Sequence, residues 1–149
     1  MEQTTETAPV QKAVTVPRSV EEAFALFTDG IDGWWPLATH SIFKNRAAKA
    51  VFEGGVGGRL YELSSGGEEG VWGTVQVWEP PTRIVYSWHP GRGEETAQEV
   101  EVTFEPSGAG TRVAIEHRGW EKAPDRRAGY DVGWDLVLGH YVTAAEGRA

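Results

Sequence analysis

Two titratable side chains, Glu62 and His117, have the chemistry needed for proton transfer. A carboxylate beside an imidazole can act as acid and base on a bound substrate. Both residues fall in segments with the pattern of β-strands, and alternation places His117 on the same inward side as Val113 and Ile115. The direction of Glu62 is open, because an inward-facing Tyr61 would leave Glu62 in solvent. The pair is therefore a catalytic hypothesis, beside a structural or cavity-lining one.

The other reactive residue types narrow the chemistry. His40 follows a Trp-Trp-Pro segment and lies either at the mouth of a cavity or simply in solvent, while His89 and His140 have no partners recognisable in the sequence. No His-x-His, HExxH or carboxylate cluster is present, so we expect no metal site. Without cysteine or a Gly-x-Ser-x-Gly elbow, covalent catalysis has no candidate nucleophile. We expect no cofactor.

Composition limits the class of protein. The 149 residues fit one domain, and 22 acidic against 14 basic residues disfavour a nucleic-acid partner. No apolar run is long enough for a membrane span, so we expect no membrane insertion. The first residues lack the basic and apolar regions of a secretory signal, which predicts a cytoplasmic protein. We expect residues 1–9 to form a disordered polar tail and residues 10–149 to form the domain.

Alternating apolar and polar residues predict seven antiparallel strands. A glycine-rich stretch at 54–58 joins the second and third strands as a hairpin turn. It is not a phosphate-binding loop, because no Lys-Ser/Thr pair and no helix follow it. The predicted strands are Val10–Val16, Ala48–Glu53, Arg59–Leu63, Val71–Trp78, Arg83–Trp88, Glu99–Glu105 and Thr111–His117.

Helical patterns flank these strands. Ser19 and Glu22 fit a capping box that starts a short helix, and Ile31–Gly33 predicts a second short turn. A longer helix covers residues 125–145, although its glycines leave its start open. Its apolar stripe contains Tyr130, Trp134, Val137, Leu138 and Tyr141. The fold class is thus α+β, a curved sheet closed by two short helices and one long C-terminal helix.

Aromatic residues predict a cavity between this sheet and the long helix. Trp88 shares parity with Tyr86 and should face inward, whereas Trp72 and Trp78 have the opposite parity from Val75 and Val77. One of those two sets should therefore lie on the outer face. The residues expected to line the cavity are Trp35, Tyr61, Tyr86, Trp88, Val113, Ile115, His117, Trp134 and Tyr141.

Several motifs resemble a known family. They are Trp34-Trp35-Pro36, Gly57-Gly58-Arg59-Leu60-Tyr61-Glu62, Trp72-Gly73-Thr74-Val75, Trp78-Glu79-Pro80-Pro81, Gly110-Thr111-Arg112-Val113, Glu116-His117-Arg118-Gly119-Trp120 and Gly133-Trp134. In this order they resemble the Hsp90-ATPase-activator-homologue-like branch of the START/Bet v 1-like (SRPBCC) superfamily, from about Val10 to Ala145. The resemblance implies a helix-grip fold around a hydrophobic cavity. Its members include lipid carriers, polyketide cyclases and hydrolase-like enzymes, so the fold does not settle the function.

Two functions follow from the cavity. The first is binding of a small hydrophobic or aromatic ligand, oriented by hydrogen bonds from Tyr61, Tyr86, His117 and Tyr141. The alternative is an acid/base enzyme of cyclase, dehydratase or hydrolase type that uses the same cavity, with Glu62 and His117 as its candidates. We expect no Hsp90 partner, because the chain has no binding domain beyond the one fold. The identity of the ligand and the oligomeric state stay open.

Overall fold

The computed structural model describes residues 7–91 and 93–147, so the first six residues of the predicted tail lie outside the described residues. Seven strands and two α-helices form an α+β fold, which confirms the predicted architecture. The strands are Val10–Val16 (β1), Ala47–Phe52 (β2), Arg59–Ser64 (β3), Glu69–Glu79 (β4), Arg83–Trp88 (β5), Gln98–Ser107 (β6) and Gly110–Arg118 (β7). The α-helices are Val20–Phe27 (α1) and Arg127–Glu146 (α2).

All neighbouring strands of the curled sheet are antiparallel, in the order β1-β7-β6-β5-β4-β3-β2. Strands β2 to β7 therefore form a continuous meander. The first strand returns to the edge beside β7, with Val10 opposite His117 and Val16 opposite Thr111. The alternation expected on β6 and β7 is present, since Val100, Val102, Phe104, Val113 and Ile115 are all buried. This inner face carries the core.

The short helix α1 covers the middle of that face. Its capping box is formed as the sequence predicts, because the Ser19 hydroxyl accepts from the Glu22 amide and the Glu22 carboxylate accepts from the Ser19 amide. Phe24 and Phe27 project from α1 onto Phe104 of β6, with ring centroids 5.2 and 5.9 Å apart. These contacts fix α1 above β6.

Two register shifts in β4 overturn the expected division of its large side chains between two faces. Against β3 the register skips Trp72, and against β5 it skips Gln76. Each bulge adds one residue and reverses the alternation that follows it. As a result Trp72 and Val75 are both buried, and Trp78 packs against Phe24 at 5.2 Å. Strict alternation was wrong here, and the bulges are why β4 turns three large side chains inward.

The long helix α2 begins at Arg127, after a 3-10 turn at Pro124–Arg126, slightly later than the glycine-containing pattern predicted. Its first half is tied to β1, because Lys12 forms salt bridges with Asp131 at 2.8 Å and Asp135 at 3.1 Å. Its second half packs solidly, and the Tyr141 hydroxyl donates to the Ala23 carbonyl at 2.7 Å. The helix thus closes the sheet tightly at its C-terminal end.

The start of the described chain is also held by α2. The Arg127 guanidinium donates to the carbonyl groups of Ala8 and Pro9, two residues of the predicted tail. Within the described residues, no helix is long and apolar enough to cross a membrane.

Candidate functional site

A cavity of about 510 Å³ lies between the first half of α2, the segment at 35–44 and the ends of β4 and β5. One side of it is aromatic, formed by Trp35, Trp72, Trp88, Tyr130 and Trp134. The rim is polar, formed by Thr39, His40, Ser41, Lys44, Asp125 and Arg126. An apolar pocket with a few polar groups at its edge is the usual form of a small-molecule site.

The aromatic wall is centred on Trp35. The ring centroid of Trp35 lies 5.0 Å from that of Trp72, 5.8 Å from Trp88 and 6.3 Å from Trp134. Tilted and edge-on arrangements at such distances are the favoured geometries of aromatic pairs. The four indoles therefore support one another from four separate elements of the fold.

Every indole N–H of this wall is already used by the protein. Hydrogen bonds run from Trp35 to the His40 carbonyl at 2.7 Å, from Trp72 to the Glu62 carboxylate at 2.6 Å, from Trp88 to the Tyr130 hydroxyl at 3.0 Å and from Trp134 to the His117 ring at 3.0 Å. A buried polar group that is satisfied internally does not need a ligand partner. The four indoles are only 1–8% exposed, and the part of them that reaches the cavity therefore offers a ligand aromatic carbon and few donors.

Glu62 is fully buried and holds the wall of the cavity in place. Its carboxylate accepts from the Ile42 amide at 2.7 Å, the Phe43 amide at 2.9 Å and the Trp72 indole. Gly70 lies opposite Glu62 in β4, and a Cβ there would approach the Ile42 side chain to 2.8 Å. A side chain at position 70 would therefore have to displace the end of the Ile42 side chain, beside the two amides that reach the carboxylate.

His117 is equally buried, but its environment is that of a neutral structural side chain. Its Nδ1 accepts from the Trp134 indole, so its Nε2 carries the proton and donates to the Gln98 carboxamide at 3.2 Å. The ring also lies 4.3 Å from that of Trp120. Burial lowers the pKa of His117 to about 3, because the charged imidazolium would be desolvated.

The structure does not bring Glu62 and His117 together. The glutamate lies on β3 and the histidine on β7, with three strands between them. At about 4.8 Å for each strand spacing, the two strands are roughly 19 Å apart measured along the curled sheet. Both face the interior, but each is satisfied by its own donors and acceptors, and together they form no acid–base pair.

Three of the residues expected to line the cavity do so, namely Trp35, Trp88 and Trp134. Five others are buried and do not line the cavity, namely Tyr86, Val113, Ile115, His117 and Tyr141. Tyr141 lies where the second half of α2 packs on α1, whereas the ring of His117 is enclosed by Trp120, Tyr130 and Trp134. Tyr61 points to the outer face, where the Arg59 guanidinium lies 4.4 Å from its ring centroid. The cavity thus occupies one end of the helix–sheet interface and not its whole length.

Several wall and rim residues were missed by sequence reasoning. Trp72 was missed because its bulge hides its direction, and Lys44 lies in a 3-10 turn without periodicity. Asp125 and Arg126 fell at the start of the predicted long helix but lie in the 3-10 turn before it. The turn that carries Lys44 is held by a side-chain hydrogen bond, in which the Ser41 hydroxyl accepts from the Lys44 amide at 2.8 Å. Lys44 adopts a positive φ of 53°, which is uncommon for a residue with a side chain.

His40 is the titratable ring on the cavity wall. Its Nδ1 lies 2.8 Å from the Thr39 hydroxyl, and its carbonyl accepts from Trp35. Partial burial, and then the positive charges of Lys44 and His140, lower the pKa of His40, which favours its neutral form. Among the described residues, no group of three or more His, Asp or Glu side chains is placed to hold a metal ion.

Comparison with known proteins identifies the family. Residues 17–144 match the family model described as Activator of Hsp90 ATPase homolog 1-like protein. The chain belongs to this family. The resemblance noted in the sequence is therefore confirmed, whereas no curated protein matches the chain.

Solved structures show the same fold. The Aha1 dimer from Colwellia psychrerythraea, a solution structure, superposes with a TM-score of 0.70 at 19% identity, covering 94% of this chain and 97% of that one. The anthrahydroquino-γ-pyrone synthase Txn09, solved as a complex, is 31% identical with a TM-score of 0.65, covering 94% and 99%. DynU16, described as a putative protein in the dynemicin biosynthetic locus, is 18% identical with a TM-score of 0.65, covering 90% and 45%.

Replacement of Glu62 should weaken both the fold and the cavity. In Glu62→Gln one carboxylate oxygen becomes an NH2 group, which cannot accept from the N–H donor that it faces, so we expect a loss of about 1 to 3 kcal/mol in the free energy of unfolding. Urea denaturation measures this loss. Glu105→Gln, at an exposed position on β6, is the control and should be nearly neutral. Equal stability of the two variants would contradict the role assigned to Glu62.

His117 should make the stability depend on pH. Because burial lowers its pKa to about 3, the unfolded chain, with an ordinary pKa of about 6.5, binds a proton that the folded chain excludes. The stability from neutral His117 is complete above about pH 6.5 and declines by up to about 1.4 kcal/mol per pH unit as pH falls towards 3.

The comparison that tests this is between the wild type and His117→Asn, unfolded in urea at pH 7 and pH 5. Asn removes the titrating group and keeps an acceptor for the Trp134 indole. We expect the wild type to lose about 2 kcal/mol more than the variant between the two pH values. Parallel losses would show that His117 does not exclude the proton.

Proposed function

We propose that this protein binds a planar aromatic small molecule in the cavity beside the first half of α2. The observation that carries the proposal is the wall of four indole rings with every N–H group satisfied by the protein. Such a wall gains most from a flat apolar surface, because aromatic contacts add about 0.5–1.5 kcal/mol beyond the burial of area. A flexible chain would lose more conformational entropy on the same surface.

The size of the cavity supports the same class of ligand. A volume of about 510 Å³ is within the range of small-molecule sites, about 300–1,000 Å³. The name of one structural relative also points to a fused aromatic compound. This relative, 31% identical to the chain, is described as an anthrahydroquino-γ-pyrone synthase. Together these points favour an aromatic ligand over a lipid.

The helix α2 offers a matched pair of variants that tests the proposal. Gly129 lines the cavity and Gly139 is exposed elsewhere on the same helix, and a Cβ at either position would meet no atom within 4 Å. Both Gly→Phe changes should raise helix propensity by about 0.5 kcal/mol. Only Gly129→Phe places a ring in the cavity.

The measurement is binding of a hydroxylated anthraquinone and of a long-chain fatty acid, followed by calorimetry and by quenching of tryptophan emission. We expect the wild type and Gly139→Phe to bind the anthraquinone alike, and Gly129→Phe to bind it at least tenfold more weakly, about 1.4 kcal/mol. Tighter binding of the fatty acid, or equal binding of the anthraquinone by both variants, would refute an aromatic site in this cavity.

A second candidate function is acid/base catalysis in the same cavity, favoured by the position of His40. Its lowered pKa keeps the imidazole neutral near pH 7, the form that accepts a proton. A base there suits ring closure, in which a phenol hydroxyl attacks a carbonyl carbon of the same molecule. The imidazole would take the phenol proton and pass it to the carbonyl oxygen, which becomes a hydroxyl group. That hydroxyl then leaves as water together with a proton from the adjacent carbon, and a ring double bond forms.

The test of this second function is the cyclisation of an aromatic β-diketone with an ortho hydroxyl, followed by chromatography. We expect His40→Gln to abolish turnover while anthraquinone binding remains. We also expect wild-type activity to fall as pH drops and His40 becomes protonated. Thr39→Val, which removes the hydroxyl beside Nδ1, should lower turnover less severely. No turnover by the wild type, or full turnover by His40→Gln, would exclude the role of His40.

A further inference from the structure

The rim of the cavity carries more positive than negative charge, although the whole chain has a net charge of −8. Two cationic side chains, Lys44 and Arg126, line the cavity, and Asp125 is the sole carboxylate among the described lining residues. None of these three side chains forms a salt bridge within the described part of the chain. The excess cation is therefore available to a bound molecule.

Arg126 differs from the other half-buried arginines that the structure describes. Arg46, Arg59, Arg83 and Arg118 form salt bridges. The neighbouring Arg127 is fully occupied with the Ala8 and Pro9 carbonyl groups. Arg126 is half-buried at the cavity, and its guanidinium has no hydrogen-bond or salt-bridge partner among residues 7–91 and 93–147. A half-buried guanidinium without a partner loses part of its hydration and gains no interaction in return. An anionic group of a ligand would supply that interaction.

The position of Arg126 also opposes the electrostatics of α2. It is the N-cap residue of a 20-residue helix whose first turn has no acidic side chain and whose N-terminus has no side-chain cap. The N-terminal end of a helix is partially positive, so a cation there is unfavourable for stability. Arg126 and the helix end therefore act in the same direction on an anion in the cavity.

Lys44 adds a second cation that is held at the rim by a costly backbone conformation. Its positive φ is maintained by the hydrogen bond from its amide to Ser41. Its ammonium group donates to the Thr39 carbonyl at 3.3 Å and not to a carboxylate. A carbonyl partner leaves the charge of the lysine uncompensated.

We propose that the ligand of this cavity is an aromatic acid, a planar ring system with a carboxylate or phenolate group that pairs with Arg126 and Lys44. This inference rests on the proposed aromatic site and adds the charge of its ligand. The ring system lies against the indole wall, and the anionic group lies at the rim beside the start of α2. Arg126 supplies a planar, two-pronged donor for a carboxylate, which a lysine does not.

The test uses two ligands of nearly the same shape, anthraquinone-2-carboxylate, which is charged, and anthraquinone-2-carboxamide, which is neutral, with calorimetry at low and moderate salt. We expect the wild type to bind the carboxylate about tenfold more tightly, with the difference shrinking as salt is added. Arg126→Gln should remove most of that difference and leave carboxamide binding unchanged. Arg112→Gln, which removes an exposed arginine of β7, is the matched control and should change neither affinity.

The outcomes separate the two proposals. Equal affinity of the wild type for carboxylate and carboxamide would overturn the anionic ligand and leave the aromatic site standing. An equal loss of both ligands in Arg126→Gln, with unchanged thermal unfolding, would make Arg126 part of the cavity shape and also overturn the charge assignment. Binding of neither ligand by the wild type would overturn the aromatic site and the anionic ligand together.

Discussion

The buried carboxylate of Glu62 is the constraint on which the cavity depends. A charge removed from water must be compensated by hydrogen bonds, and here three N–H groups from two separate segments converge on one side chain. The amide donors belong to the turn before β2, and the indole donor belongs to the bulge of β4. The same interaction therefore fixes the loop over the cavity and one ring of its wall, and relaxation of either would expose an unpaired charge.

The aromatic residues divide the interior into a packed end and an open end. Around Tyr141, rings from α1 and the Trp34 segment pack at 5.0–5.3 Å and leave no room for a ligand. Around Trp35, the rings stand as a wall and α2 presents glycine towards them. Side chains of one chemical type thus stabilise the fold at one end of α2 and form a binding surface at the other. Gly129 and Gly133 both line the open end.

The polar rim and the apolar wall have different consequences for a ligand. The wall selects for shape and area, because its donors are spent on the protein, whereas the rim selects for charge through Arg126 and Lys44. His40 lies between the two and joins them, since its carbonyl holds Trp35 and its ring faces the first half of α2. The proposed ligand class, the proposed proton transfer and the excess of cations at the rim all concern this one region.

The seven strands along the chain, the capping box at Ser19 and the inward direction of His117 were all predictable from the sequence, because alternation, capping and turn chemistry act between residues close along the chain. The inward direction of Trp72 was not, since two β-bulges reset the alternation of β4 and only the assembled sheet shows where they fall. The direction of Glu62 was open because alternation along β3 does not say which of its two faces is the inner one, and the packing of the sheet decides that. The place of the cavity was likewise decided by tertiary structure. The sequence carries the helical stripe of α2 from end to end, but packing against α1 fills the interface beside Tyr141 and leaves it open beside Trp134. Periodicity thus predicted a sheet and a long helix, and composition showed more tryptophan than their packing requires. Where the helix stands away from the sheet depends on contacts between residues about a hundred positions apart, such as Tyr141 with Ala23.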